Sequence, residues 1–357
     1  MSWRNILVHS ALLARKTLKP LKLQQLRFLD AVVRNNLNVS AAAAELYTSQ
    51  PGISHQIKLL EDELDIQIFE RSGKKLTAIS PAGHAILEHV ADLLNSAKNI
   101  KQSARDFSNS NRGSLTIATT HTQAQFILPP ILQQFSRKYP HIELRVHQGN
   151  PKSMCKLAAN NQVDFVIASE VIDERDELVT IPAYRWNRFI VVPPNHELTQ
   201  IKDITLPDLA RFPILTYMLG LTGRSQLDKT FQRAKLEPRV AFTATDSDVI
   251  KTYVRLGMGA GIVAEMACRD ENSDLVYIDA SHLFPDSIIK IGFRHSRHIS
   301  AYQFEFLHMV APYLEMDTIR KIASSRTLQD REKLLAQAAV PSFRDLHNML
   351  NELKVVG

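Results

Sequence analysis

From Leu21 to about Asp65 apolar positions recur at helical spacing and predict three helices. The first runs from about Leu23 to Asn35, with Leu26, Leu29 and Val33 on one face. Asn38 is placed to cap a second, which continues through four alanines (Ala41 to Ala44) to Leu46. Alanine favours helix and leaves no bulk, so another helix can approach closely. After Tyr47 and Thr48 a third helix opens at Ser49-Gln50-Pro51, where proline is tolerated because a first-turn N–H has no intrahelical partner. Its apolar face is Ile53, Ile57, Leu60 and Leu64.

The period then changes. Residues 69–80 (FERSGKKLTAIS) read as two short strands around Ser72-Gly73, a hairpin carrying Arg71, Lys74 and Lys75. Pro81 starts a long helix along which Ile86, Val90, Leu93, Ala97, Ile100, Ala104 and Phe107 alternate at intervals of four and three. An amphipathic helix explains such a stripe, but strict alternation through three heptads favours a helix–helix dimer seam. Polar residues from Ser108 to Arg112 close it and mark a boundary.

From Ser114 strands and helices alternate. SLTIAT, IELRV, DFVIAS, RFIVVP, PILTY, RVAFTA, LVYIDA and IIKIGF read as strands, with helical stretches such as Ser225–Ala234 and Ser247–Leu256 between them. Repeated βα units place ligand sites at strand ends and crevices, and two such lobes would hold a ligand between them. The resulting division is an extension over 1–20, a helical domain with a hairpin over 21–80, a linker helix over 81–110, a sensor over 113–320 and a helical tail over 321–357. Residues 1–20 lack the continuous apolar core of a signal peptide and read as a disordered extension or the product of an upstream start.

Composition narrows the class. With 357 residues the chain exceeds what one core usually organises, and 45% apolar with 22% charged residues is ordinary for a soluble globular protein. Two cysteines, Cys155 and Cys268, form no disulfide framework or zinc cluster, which fits a reducing cytoplasm. No apolar run approaches the ~20 residues of a membrane span, and the 13 histidines form no HExxH or similar metal motif. The net charge of +6 suggests a polyanionic partner, yet its placement does not single out a domain. Residues 1–20 carry four basic residues and no acid, while residues 21–110 balance ten against ten.

Local chemistry is more informative. Two helices joined by a tight turn, the second presenting short polar side chains, are what major-groove reading needs. The third helix offers Ser49, Gln50, Ser54, His55 and Lys58: Gln and Ser bond base edges, Lys and His meet phosphate or guanine. Arg71, Lys74 and Lys75 on the hairpin would lie over the adjacent backbone or minor groove. Taken alone, three small helices and a hairpin serve protein interaction as often, and scattered charges are usually a solvated face.

The exact residues change that balance. Leu26-Arg27-Phe28, Ala42-Ala43, Ser49-Gln50-Pro51, Ile53-Ser54, Leu60-Glu61, Glu63-Leu64, Phe69-Glu70-Arg71 and the whole SQPGIS segment resemble the winged helix-turn-helix of LysR-type transcriptional regulators. The resemblance extends over nearly all of residues 21–320. It implies a multidomain α+β chain: an N-terminal winged helix-turn-helix, a long linker helix, and a two-lobed α/β effector domain like that of periplasmic binding proteins. It also implies double-stranded promoter DNA and RNA polymerase as partners and a homo-oligomer, a dimer of dimers, with no membrane role and no enzymatic activity. YTSQPGIS, TIATTHTQ, TGRS and DSDVIKTYVRLGMG are similar to the branch of the family that activates sulfur-assimilation and cysteine-biosynthesis genes. That branch implies N-acetylserine or O-acetylserine as inducer, sulfide or thiosulfate as antagonist, sulfate or thiosulfate as an occupant of the site, and no cofactor.

Thr119 to Gln123 lies where a strand hands over to a helix, and unpaired N–H groups there favour a carboxylate or sulfate. From the residues alone, Thr120 is a helix cap. With the resemblance, Thr120, Thr122 and Gln123 hold the anionic end of the effector, and Ser169 stands where this branch usually has threonine. Thr222 would close the site from the other lobe, and Trp186 would form an apolar wall unless it is simply core. Ala168-Ser169-Glu170 and Val263-Ala264-Glu265 look more like a sister branch that senses adenylyl sulfate and controls sulfonate and sulfate-starvation genes. Gly257-Met258-Gly259-Ala260-Gly261 follows a helix, not a strand, and reads as a terminating turn instead of a dinucleotide fingerprint. Asp246 and Asp248 read as helix caps. No nucleophile–base–acid set is legible around His121, and a solute-binding α/β protein is the alternative from another class.

Overall fold

The structure is a computed structural model describing residues 21–73, 75–107, 112–169, 172, 177–221, 223–268, 274–295, 297–325 and 327–355. The extension over 1–20, part of the polar boundary, Lys74, Glu170 and Thr222 lie outside the described residues. Two units divide the chain, Met1–Lys101 and Gln102–Gly357.

In the first unit α1 (Leu23–Arg34), α2 (Val39–Glu45) and α3 (Gln50–Leu64) form the bundle that the apolar spacing predicts. Asn38 caps α2 by accepting from Ser40 and Ala41 N–H, and Ser49 caps α3 by accepting from Gly52 N–H. Leu29, Ala42, Ile53 and Leu60 are fully buried and Ile57 nearly so. Each large aliphatic side chain removed from water contributes about 1.5–3 kcal/mol. The hairpin is β1 (Phe69–Ser72) paired antiparallel with β2 (Lys75–Ile79). The long helix α4 (Pro81–Phe107) starts against it. Gly83 permits this approach, since a Cβ there would lie 2.2 Å from the Ile68 carbonyl oxygen. Of the heptad positions, Val90 and half-buried Ile86 are spent on this unit's own core, whereas Leu93 is 52% and Ile100 72% exposed. The stripe therefore serves two purposes, and only its later positions are free.

The second unit holds two mixed five-stranded sheets. The first lobe orders β4 (Ile142–Gln148), β3 (Gly113–Thr119), β5 (Phe165–Ser169), β12 (Ser287–Arg294) and β6 (Leu178–Trp186). The second orders β11 (Val276–Asp279), β7 (Arg188–Val192), β10 (Ala260–Ala264), β8 (Ile214–Tyr217) and β9 (Val240–Ala244). β3 pairs parallel with β4 and β5, and β8 parallel with β9 and β10, while both crossing strands β7 and β12 pair antiparallel. The chain crosses between lobes after Trp186 and again between β11 and β12. Asn187 binds the crossings together: its side-chain amide donates to the Phe284 carbonyl (3.0 Å) and to Asp286 (2.9 Å).

Two strands are absent from the pattern-based reading. β6 contains Pro182, which is tolerated because β6 is an edge strand with a register shift there. β10 (Ala260-Gly261-Ile262-Val263-Ala264) follows the glycine turn directly. Gly257 (φ +75°) ends the preceding helix, and at Gly259 a Cβ would lie 2.1 Å from the Pro213 carbonyl oxygen. The turn thus terminates a helix, as its position predicts, and also feeds a central strand.

The C-terminal helices complete the sensor. After α5 (His121–Phe126), α6 (Leu128–Lys138), α7 (Pro151–Ala159), α8 (Leu206–Ala210), α9 (Arg224–Arg233) and α10 (Ser247–Arg255) come α11 (Ala301–Val310), α12 (Met316–Ser324), α13 (Leu328–Leu335) and α14 (Phe343–Val355). Phe343, Leu346 and Leu350 of α14 belong to the same buried cluster as Leu115 and Ile117 of β3. Arg185 N–H donates to the Pro341 carbonyl at 2.8 Å, fastening this segment beside β6.

Candidate nucleic-acid interface and effector cleft

On α3 the buried residues face the bundle and leave Ser49, Gln50, His55 and Lys58 exposed and Ser54 half-buried. These side chains lie on the helix's first half. The acids Glu61, Asp62 and Glu63 follow in its last turn, with Asp65 just beyond. The outward N-terminal half therefore offers hydrogen-bonding groups and positive charge without a carboxylate, a composition suited to base edges and phosphates. Lys75 is exposed on the hairpin. Arg71 is held: its guanidinium pairs with Glu61 at 2.5 Å, while the other Glu61 oxygen accepts from Ile68 and Phe69 N–H. Arg71 thus anchors the hairpin to α3, a role its sequence position did not reveal. Tyr47 was also passed over. In the turn before α3 it adopts φ 51° and is 98% exposed, an apolar ring in the left-handed region standing free of the bundle.

In the sensor, Thr120 occupies the N-cap position of α5 but its side chain makes no capping hydrogen bond. Its hydroxyl is therefore not consumed by the helix. α5 has only six residues, so its dipole contributes little at Thr120. Thr119 ties β3 to β5 by donating to the Ile167 carbonyl (3.0 Å). Thr122 and Gln123 are buried, and Ser169 ends β5 with 4% exposure. Gln123 accepts a hydrogen bond from the Tyr184 hydroxyl. Burial holds that phenol's pKa well above its usual value, so it stays a neutral donor.

Trp186 is 2% exposed and its indole N–H has no partner. The Arg188 guanidinium lies over its ring, 5.1 Å from the centroid, and donates to the Gly223 carbonyl at 2.8 Å. Trp186 belongs to the main buried cluster of the sensor, with an unused donor, beside Gly223. Between the lobes opens a cleft of about 430 Å³, lined by Thr120, His121 and Asn150 from one side and Met218, Leu221 and Thr245 from the other. Asp246 caps α10 through Val249 N–H, as expected. Asp248 does not cap. Its carboxylate binds Lys251 (2.8 Å) on its own helix and accepts from Gln125 (2.6 Å) across the lobes. Burial opposes ionisation of Asp248, but these partners outweigh it and hold the carboxyl below its usual range.

The profile of the bacterial regulatory helix-turn-helix protein of the lysR family matches residues 23–84, and that of the LysR substrate binding domain matches 108–314. The chain belongs to the LysR family of transcriptional regulators. It is 45% identical over 314 residues to the HTH-type transcriptional regulator CysB of Haemophilus influenzae, covering 88% of this chain and 97% of that protein. It is 42% identical to SsuR of Burkholderia cenocepacia (82% and 95% covered) and 39% identical to cbl of Escherichia coli (84% and 95%). Among solved structures, the cofactor-binding domain of the Cbl regulator aligns with TM-score 0.58 at 39% identity, covering 61% of this chain and 96% of that one. A full-length OxyR from Pseudomonas aeruginosa, 21% identical, shares the fold with TM-score 0.64 over 83% of this chain and 99% of its own.

A LysR regulator is no enzyme, and the expected architecture of winged helix-turn-helix, linker helix and two-lobed sensor holds. Among the described residues no group of three or more His, Cys, Asp or Glu is placed to hold a metal, and no helix is long and apolar enough to cross a membrane. Of the sensor residues singled out by sequence, Ser169 and Trp186 end strands β5 and β6 of the first lobe, while Thr120, Thr122 and Gln123 lie at the start of α5 just after β3. The residues that sequence reasoning missed are Tyr184, Arg188 and Tyr217. Their partners, Gln123, Gly223 and Ala264, lie 61, 35 and 47 positions away, beyond any local pattern.

Proposed function

We propose that this regulator activates genes of sulfur assimilation and cysteine biosynthesis in response to N-acetylserine or O-acetylserine. The names of the CysB, SsuR and cbl relatives and the sequence segments that resemble their branch support the sulfur assignment. The observation that carries the effector reading is the cleft between the lobes, on whose wall the Thr120 hydroxyl stands without a capping hydrogen bond to its own helix. Donors without a free cation suit a small anion that must bind and leave, held by hydrogen bonds more than by ion pairing.

In this account the α3 face and the hairpin hold promoter DNA, and the effector draws the lobes together about Asn187. Exposed Leu93 and Ile100 pair the linker helices of two protomers, two such dimers form the working tetramer, and the rearranged assembly meets RNA polymerase in the cytoplasm. Purified protein on a target promoter tests this. N-acetylserine or O-acetylserine should alter the footprint and raise transcription; an identical footprint and transcript level with and without both removes the sensing half.

A second reading has its own support. Ser169 and the Val263-Ala264-Glu265 segment resemble the branch that senses adenylyl sulfate, and a cleft of about 430 Å³ exceeds what an acetylated serine fills. Calorimetric titration with adenylyl sulfate and N-acetylserine side by side decides between them.

A further inference from the structure

We infer that Gln125 and Asp248 are positioning residues for the effector: their hydrogen bond across the lobes sets where α5, and so the Thr120–Gln123 turn, stands in the cleft. The inference rests on the effector reading above and adds to it a pair that neither pattern nor resemblance assigned to the site. Neither side chain lines the cleft, so both act through α5 and not by touching the ligand.

A helix like α5 does not fix its own place. It has six residues, and its N-cap residue Thr120 makes no capping hydrogen bond. Helices so short are marginal in water, and what packs against them decides where they lie. At its first turn α5 presents Thr120 and His121 to the cleft. Its other end is held from the second lobe. The Gln125 amide donates to Asp248 at 2.6 Å, and the half-buried Phe126 ring has the Lys251 ammonium 5.9 Å from its centroid.

The support itself is firm. α10 has nine residues, is capped by Asp246 through Val249 N–H, and buries Ile250 and Val254 completely. The Asp248 oxygens divide the work: Oδ1 pairs with Lys251 of its own helix at 2.8 Å, and Oδ2 takes Gln125 of the other lobe. Lys251 is 8% exposed and also donates to the Ala267 carbonyl at 3.3 Å, so the carboxylate is fixed from behind. The His121 imidazole lies near enough to favour the charged form of Asp248. His121 and Gln125 stand four residues apart, on one face of α5, and Asp248 meets that face at both. Groups that hold a ligand work only within a fraction of an ångström, so a turn on a weak helix gains its precision from a rigid neighbour.

The test uses the full-length protein, melted and titrated calorimetrically with N-acetylserine and with adenylyl sulfate, the compound that the wild type binds serving as reporter. Gln125 is exposed, so substitution there should barely move the melting temperature. Gln125→Glu sets a second carboxylate against Asp248 and should weaken effector binding about tenfold. Joined with Asp248→Asn, it reverses the bond, with the carboxylate now on α5 and the amide on α10. That double variant should return to within about threefold of wild-type affinity. Wild-type affinity in Gln125→Glu overturns the inference, and so does a double variant as weak as the single one. A lowered melting temperature with unchanged affinity also overturns it, marking a pair that only stabilises the sensor. Should the wild-type protein bind neither compound, the effector reading falls first and this inference with it.

Discussion

The two functional regions of this regulator keep their polar groups in opposite ways. On α3 the groups suited to DNA stand on the surface, where water satisfies them until a partner arrives, and they need only a well-packed bundle behind them. In the sensor the corresponding groups are buried, and Trp186 keeps an indole N–H without a partner. A surface reader costs little to maintain and depends on charge and salt. A buried clamp carries a standing cost of about 1–3 kcal/mol for each unsatisfied group, recovered when a ligand enters. Substitutions should therefore weaken the two regions through different observables.

The largest effect is expected where α14 supports the clamp. Phe343 is 3% exposed, and its ring lies 5.9 Å from that of Tyr184, the donor to Gln123. Phe343→Ala should cost about 3–5 kcal/mol, seen as a lowered melting temperature of the sensor with weaker effector binding. An unchanged melting temperature would show that α14 is not part of that core. Next comes the anchor of the hairpin. Glu61→Ala removes one charge-assisted pair with Arg71 and two backbone acceptor contacts, and should destabilise the DNA-binding unit by about 2–3 kcal/mol. Denaturant unfolding followed in that unit measures it.

Smaller effects separate reading from positioning. Gln50→Ala should cost about 1–3 kcal/mol of discrimination between cognate and mismatched operators if the side chain bonds a base bidentately, measured by competition binding. Equal loss on both sequences would make Gln50 a backbone contact. Lys58→Ala should weaken binding on all sequences and reduce the salt slope by about one phosphate contact. A slope equal to wild type would remove Lys58 from the DNA interface.

The same contrast explains what could be read in advance. The bundle was legible because its signals are local: Asn38 and Ser49 as caps, Pro51 in a first turn, and Ile53, Ile57 and Leu60 at helical spacing. Eight strands and the strand-to-helix site at Thr120 were visible for the same reason. β6 was hidden by Pro182, since proline in a strand is tolerated only by an edge position that no local window reports. β10 was hidden because its first residues, Ala260 and Gly261, read as the continuation of the glycine turn and leave only Ile262 and Val263 as a strand signal. The role of Arg71 depends on Glu61, ten residues away, and that of α14 on Tyr184, about 160 positions earlier in the chain. Family resemblance pointed to Thr122 and Trp186, but their burial and the unpaired Trp186 N–H depend on distant packing that no local pattern reports.

The central claim is that a metabolite held at the Thr120–Gln123 turn governs the grip of α3 on DNA. The direct measurement is promoter footprinting of wild-type and Thr120→Ala protein across a graded series of N-acetylserine concentrations. The account predicts that both reach the same final footprint, with the variant needing about tenfold more effector. Superimposable dose curves for the two proteins would contradict it.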